Sequence, residues 1–595
     1  MLSQLPTPAK MSQEAARKLP RYALHALLAV FILCGFWARD LWTLRDAASF
    51  GIAFTMAEGG ARDWLLPNVE GAAVHAAGPL TGWISAIFIK LFGSLAGDVQ
   101  SFRAASLFWF ALSTAGIWYA TLWLARRPEV QPVAFAFGGE ASPSSYSRVI
   151  ADCAVLLFVA TFGIVTRQHE AIPETAFLAL TSITFLSLVA SLRRPYLGAF
   201  CSGLATGFAV LAYTLFAGIW LLAGAIVANA ALRSFPGNRD RRILLLIAAS
   251  ILPFALWFAA AWSVAPQATE DWFFAWALSQ SENFGLVSLS TLAWIGKNFV
   301  WYLCPIWPLA LWGLYSWRWQ LDRTSLFLPL ILTGTNIFAA IFSSSQSADA
   351  VLLGCIPSMA SFAAFGLATL RRNRKDILDW FSVSVFSLGV LTLWTYWLAW
   401  LTNFAPKMAR SIAMLAPGAR PAFDTGFVAA LCVTVIWFVF VSWRMTHRPV
   451  VAWRGPWLAA AGMTAAATVI FGLYHHAIDI NRSYEPIAAE AAALLKEDGM
   501  REGDCVSGTK LPPGVRAVFS YYGHIPFAPD GNLSACRYRI ERSHAGLLPA
   551  GMLGTPIARP HTDEVFYVLS IDAARRASPL EEAAQSADNV LDAIK

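Results

Sequence analysis

Charge is scarce in this chain. Asp, Glu, Lys and Arg supply 14% of its 595 residues while hydrophobic types supply 57%, a balance that excludes an ordinary soluble globular protein. There is no Walker loop, dinucleotide fingerprint or Cys-x-x-Cys pair, which leaves ATP-driven and redox functions unsupported. No internal repeat is evident, and that disfavours a repeat-built transporter. Cysteine is nearly confined to apolar stretches: Cys34, Cys153, Cys201, Cys304, Cys355 and Cys432 lie inside them, where packing is their ordinary role. Only Cys505 and Cys536 fall in a soluble segment and are expected to form a disulfide in an oxidising compartment.

What the chain has instead is a series of apolar runs from Tyr22 to Tyr474, which raise the mean hydropathy of the whole chain to +0.53. Runs of about 20 residues are long enough to cross a bilayer as helices. The net charge of +7 does not point to nucleic acid, because the basic residues cluster in short loops beside the runs, as membrane topology requires. The first run, Tyr22 to Trp37, follows Lys10, Arg17, Lys18 and Arg21 and has no A-x-A site after it. It reads as a retained signal anchor with the N-terminus in the cytoplasm.

Arginine clusters then set the parity. They fall at Arg126-Arg127, Arg193-Arg194, Arg233 to Arg242, Arg318 to Arg323, Arg371 to Lys375 and Arg444 to Arg448. If each marks the cytoplasmic side, two spans separate successive clusters. The run Pro195 to Leu232 must then be two spans with a tight outer turn near Tyr213-Thr214. The others are Phe102 to Leu124, 149–166, Glu174 to Leu192, 242–264, 296–316, 325–343, 351–370, 378–401, 425–443 and 456–474. The fold expected is an all-α polytopic membrane protein of about 13 helices with its C-terminus outside. The expected divisions are a cytoplasmic tail 1–21, a membrane domain 22–474 with a first periplasmic loop 43–101, and a periplasmic domain 475–595. Glu485 to Lys496 in that domain reads as an amphipathic helix. Cys505 to Ser507, Ala517 to Tyr522 and Val565 to Ile571 read as strands or strand-helix pieces, so one small α/β unit fits. The Pro-, Gly- and Ser-rich stretch Pro128 to Arg148 reads as a mobile connector, and outer loops 265–295 and 402–424 as a roof over the first loop.

The first loop is too large and too charged for a simple connector. It carries Asp46, Glu58, Asp63 and Glu70 beside Arg45, Arg62 and Lys90, with apolar residues spaced for short amphipathic helices on a membrane surface. In order it presents Asp46, then Asp63-Trp64 with Pro67 and Gly71, then Gly78-Pro79-Leu80, then Phe92-Gly93, with Arg103 at the start of the next span. This series resembles the first loop of lipid-linked-sugar glycosyltransferases of the GT-C membrane fold, in particular the aminoarabinose transferase of lipid A and the protein O-mannosyltransferase group. Two features depart from the family pattern: a single acid stands where the family has Asp-Glu, and Ala76-Ala77-Gly78 replaces the segment that often carries a lysine. Asp46 takes the place of either the Asp or the Glu, depending on a one-residue register.

The resemblance implies an inverting transferase of a hexose or pentose. The donor would be a polyprenyl-phosphate-linked sugar and the acceptor a lipid, glycan or protein, at the periplasmic face of a bacterial inner membrane. Such a transfer needs an acceptor for the attacking hydroxyl's proton, and Asp46 is the first candidate, its alternative being a solvated charge paired with Arg45 or Arg39. Glu174, at the outer start of the fourth span, is the second; its alternative is an N-terminal helix charge favoured by the macrodipole behind Pro173. A departing phosphate needs positive charge, and Arg45, Arg62, Arg103 and Arg167 are candidates, with Lys297, Asp63, His169 and Glu170 ranking lower. The run Tyr474-His475-His476-x-x-Asp479 invites a metal reading, but neighbouring helical histidines point apart, so an interfacial belt is expected and no metal site. Nothing in the sequence supports a cofactor. Two other functions are compatible with the chain: a transporter or flippase of lipid-linked sugars, and a non-catalytic envelope assembly protein. A transporter should carry acids in mid-span, whereas the acids here gather at the outer edge.

Overall fold

The computed structural model describes residues 6–570 except 38, 233, 286, 345–346, 448–449, 502, 509–510, 530–535, 545–550, 560–561 and 563; the side chains of 372–375 and 543–544 are also outside the description. The expected C-terminal stretch 571–595 and the arginines at 233 and 448 therefore lie outside the described residues. Helices dominate. Nine of them, among the described residues, are long and apolar enough to cross a membrane, so the chain is a multi-pass membrane protein.

Each expected span is helical, and the deviations have local causes. The first helix, Arg21–Leu33, stops short of Trp37 at a turn where Gly35 takes φ 68°, a conformation open to glycine. The long run after Pro195 is divided into Pro195–Ala212 and Leu215–Ala231, with Thr214 capping the second helix by accepting from the Ala217 amide. The 296–316 span is made of Leu289–Tyr302 and Ile306–Trp317, and the 351–370 span of Ala348–Leu353 and Ile356–Leu367. Pro305 and Pro357 stand at these breaks, where a missing N–H ends the ladder.

Loops that the arginine rule assigns to one side meet at one end of the bundle. Val133 and Ala141 donate backbone hydrogen bonds to Ala9 and Met11, Lys10 to Ala368, and Ala452 to Ala15. The stretch 128–148 is thus tied down. Glu129 accepts from the Ser325 hydroxyl and amide, and neither its proline nor its glycine content frees it.

At the opposite end the first loop folds into helices Leu44–Glu58, Ala61–Leu65 and Leu80–Ala96 with a two-stranded hairpin, Asn68–Val69 against Ala72–Ala73. The amphipathic pattern does not lay the first of these on lipid. Its apolar face (Phe50, Ala53, Met56) shares one core with Phe519, Val515, Tyr538 and Phe566 of the C-terminal unit. Burying such side chains is worth roughly 1.5–3 kcal/mol each. Contact is close because the positions are small: a Cβ on Gly514 would stand 2.3 Å from the Leu44 carbonyl oxygen, and one on Gly51 2.4 Å from Ala517 Cβ. The exposed apolar surface of the loop belongs to Leu80–Ala96, which exposes Ile87, Leu91, Phe92 and Leu95. Helix Pro266–Ser281 roofs the loop, with Trp272 Nε1 and the Ser279 hydroxyl donating to the carbonyls of Val74 and His75.

The C-terminal unit has helices Glu485–Glu497 and Pro513–Gly523 and a four-stranded sheet in the order Val506–Ser507, Tyr538–His544, Glu564–Ser570, Ile557–Ala558, the first pair parallel and the others antiparallel. Residues 517–522 are helical, not a strand. Cys505 and Cys536 are joined by a disulfide.

Candidate active site

Three helices begin at the end of the bundle covered by the first loop and the C-terminal unit, and each has an acid in its first turn. These are Leu44–Glu58 with Asp46, Pro173–Ala190 with Glu174, and Ala348–Leu353 with Asp349. Helix N-termini favour negative charge, so each backbone helps hold a carboxylate there. The acids are distributed between two groups of charges.

The inner group is Asp46, Glu170, Arg39 and Arg103, all buried. Thr43 caps the first helix by accepting from the Asp46 amide at 3.1 Å. That spacing, Thr-x-x-Asp, would let the acid return a bond to the cap. It does not: neither Asp46 oxygen accepts a hydrogen bond among the described residues. The nearest cation is Arg103, whose Nη2 is 3.9 Å from Oδ2. The Arg103 guanidinium is occupied elsewhere, donating to the carbonyls of Arg39 at 2.6 Å and Asp40 at 3.1 Å. Arg39 donates to Glu170 at 2.9 Å and stacks over Trp42 at 4.4 Å. The second Glu170 oxygen and both polar atoms of the buried Gln168 side chain have no partner among the described residues.

Burial pushes the Asp46 carboxyl above its usual range, against the opposing pull of Arg103 and Arg39. Glu170 is raised as well, first by burial and then by Asp46. Unengaged carboxylate oxygens are costly in such a place, and perturbed acids of this kind concentrate at functional sites. Asp46 is accordingly neither a solvated charge nor a partner of Arg45.

The outer group is Glu174, Asp349, Arg45 and Arg167. Arg45 donates to Glu174 at 2.8 Å and stands 3.9 Å from Asp349, which is itself bonded to Arg167. Arg45 is the accessible member, with 47% of its side chain exposed against 5% for Glu174. Both arginines are held above their usual range despite burial, Arg45 chiefly by Glu174 and Arg167 chiefly by Asp349. Each group pairs two acids with two bases. An anion reaching the exposed Arg45 must therefore compete with Glu174 or Asp349 for a guanidinium.

Beside the inner group lies a polar cavity of about 380 Å³, lined by Arg39, Asp40, Gln100, Asp479, Glu485 and Tyr522. Asp40 accepts from the hydroxyls of Tyr522 and Ser483, so the C-terminal unit forms one wall.

Of the residues singled out from sequence, Asp46, Arg103 and the lower-ranked Glu170 meet in the inner group and Arg45, Arg167 and Glu174 in the outer one. The others lie apart. Arg62 is exposed, and Asp63 serves its own turn, accepting from Gly60 N and Asn68 Nδ2. His169 is buried with Nε2 2.8 Å from the Phe31 carbonyl, and burial lowers it to about 4. Lys297 is exposed on Leu289–Tyr302. Sequence reasoning missed Asp349 altogether. Its only signal was the one that marked Glu174, a lone acid opening a helix on the outer side.

No protein-family profile matches the chain, and no curated protein matches it in sequence. Two solved structures match almost throughout. The apo crystal structure of ArnT from Cupriavidus metallidurans aligns over 92% of this chain and 97% of its own, with TM-score 0.63 and 15% identity. The same protein bound to undecaprenyl phosphate aligns over 93% and 98%, with TM-score 0.62 and 14% identity. The chain therefore shares the ArnT fold, the GT-C architecture that its first-loop motifs resemble.

Proposed function

We propose that this protein is a membrane glycosyltransferase that moves a sugar from a polyprenyl-phosphate donor to a lipid, glycan or protein acceptor. The observation that carries the reading is Asp46: a buried carboxylate with both oxygens unengaged, beside a mouth where Arg45 is exposed. A nucleophilic hydroxyl brought to that carboxylate finds a proton acceptor of raised basicity. Arg45 and Arg167 meet the phosphate that departs as the C–O bond to the sugar breaks. Attack on the face opposite the phosphate inverts the anomeric centre. Asp46 is fully buried beside the polar cavity, so this reading requires that the cavity open to it when substrate binds.

The ArnT likeness supports this reading, because one of the two matched structures holds undecaprenyl phosphate. The positive-inside rule supports a cytoplasmic N-terminus and a periplasmic site in the inner membrane of a bacterium. The test is incubation of the purified protein, in lipid, with a panel of polyprenyl-phosphate sugars, following free polyprenyl phosphate and glycosylated acceptor together. The acceptor pool is taken from envelope extracts of a deletion strain. Stoichiometric release and transfer are expected. Movement of intact lipid-linked sugar across vesicles, with no release from any donor, would establish the flippase instead.

A further inference from the structure

Helices Thr425–His447 and Arg454–Arg482 cross at their glycines. A Cβ on Gly426 would stand 2.8 Å from the Gly472 carbonyl oxygen, and one on Gly472 2.4 Å from that of Gly426. Backbones this close bring short side chains just beyond the crossing into mutual reach. Asp424 lies two residues before one glycine, and His475 and His476 follow the other by about one turn.

The two imidazoles do not point apart as their adjacency suggests. Their ring centroids are 4.0 Å apart, and both Nε2 atoms converge on one carboxylate oxygen. Asp424 Oδ2 is 3.1 Å from His475 Nε2 and 3.3 Å from His476 Nε2. The other oxygen is committed to the Phe427 amide at 3.0 Å, which fixes the carboxylate. The three donor atoms lie within 4.8 Å of one another. Zinc bound at about 2.0–2.2 Å in a tetrahedron sets its ligands roughly 3.3–3.6 Å apart, close to the two histidine–aspartate spacings.

A second observation points into the same spot. His475 is only 6% exposed, yet its Nε2 makes no hydrogen bond among the described residues. It sits at hydrogen-bond distance from Asp424 with the wrong angle for one. A buried ring nitrogen left this way has a lone pair to offer. His476 is 51% exposed on its side chain, which leaves room for water as a further ligand. A largely apolar cavity of about 790 Å³ runs between helix Arg21–Leu33 and these two, with Asp424 and His475 at its polar edge, so an ion would enter from the side on which His476 is exposed.

We propose that Asp424, His475 and His476 form a binding site for a divalent transition cation, zinc by its preference for imidazole and carboxylate ligands. The ion fastens the start of one membrane helix to the end of the last. One turn beyond His475, Asp479 accepts from Trp42 Nε1 at 2.5 Å and from the Asp40 amide at 3.2 Å. The fastening thereby bears on the wall of the polar cavity without belonging to the reacting groups.

The test needs no transferase activity. Tag-free full-length protein in detergent, stripped with chelator, is titrated with Co2+, and bound Zn2+ is counted by mass spectrometry. One equivalent is expected, with the visible bands of four-coordinate Co2+ that Zn2+ bleaches. His476→Ala, on an exposed side chain, and Asp424→Asn should each weaken binding at least tenfold, and His447→Ala not at all. Wild-type protein that takes up no ion, or both variants binding as wild type does, would overturn the site.

Discussion

Arg103 stands 3.9 Å from Asp46 and gives its hydrogen bonds to the carbonyls of Arg39 and Asp40 instead. The positive charge is near enough to favour an ionised carboxylate, while the carboxylate's lone pairs stay open. A direct bidentate pair would have been more stable and chemically spent. Native proteins retain such costs mostly at functional sites.

That cost can be measured. The Asp46 carboxyl is raised by burial, so the folded state binds its proton more tightly than the unfolded state does. The sign follows: the folded protein is favoured below the ordinary carboxylate range and loses stability as pH rises through the raised value. Asp46→Asn removes this dependence. Thermal unfolding of the purified variant should show a Tm at or above wild type at pH 7, with the gap closing toward pH 4. A variant markedly less stable at both pH values would mean that Asp46 is a structural ion-pair partner.

Asp46 is raised chiefly by burial, so the acid limb of the transfer rate should lie above the usual carboxylate range of about 4. Glu170→Gln removes the carboxylate that engages Arg39, and a freer Arg39 lowers the Asp46 value further. The pH–rate profile of this variant should shift its acid limb to lower pH. An unmoved limb would show that Asp46 does not set it.

At the mouth, Arg45→Ala should raise the apparent KM for donor about tenfold or more, since a hydrogen bond to a charged group contributes roughly 1.5–3 kcal/mol. Its effect on Tm should be small, because a half-exposed ion pair contributes about 0–1 kcal/mol. Glu174→Gln leaves Arg45 without its competitor, so donor KM should stay level or fall while kcat drops less than in Asp46→Asn. Steady-state kinetics on both variants distinguishes phosphate binding from a scaffold role, for which the two would behave alike.

The pair Cys505–Cys536 spans 31 positions, and closing a loop of that size is worth about 3–4 kcal/mol. Thiol labelling of unreduced, denatured protein should leave both unmodified. Cys505→Ser should lower the unfolding temperature of the C-terminal unit. Two labelled thiols there would contradict the bond and the oxidising side assigned to this unit. Reporter fusions give an independent check: a cytoplasmic signal after Leu232 and a periplasmic one after His476 are expected.

Much of this was legible because bilayers impose one-dimensional rules. Arginine spacing divided the run after Pro195 into two helices, and Thr214 supplies the cap that makes the turn. Asp46 and Arg103 could both be named because the motif series of the first loop runs from one to the other. Asp349 was invisible because its partner Arg167 is 182 positions away. The burial of the Phe50 face was equally hidden: an amphipathic helix looks the same whether lipid or a distant domain covers it. Strand Tyr538–His544 was overlooked because Arg539, Glu541 and Arg542 mask its alternation of Tyr538 and Ile540.

The most direct measurement is single-turnover transfer, in lipid, by assembled Asp46→Asn protein supplied with saturating donor and acceptor. Loss of a general base typically costs about 10²–10⁴-fold in rate, and a fall of that size with donor binding intact is the expected result. Wild-type turnover by Asp46→Asn would contradict the assignment and move the reacting carboxylate to another residue.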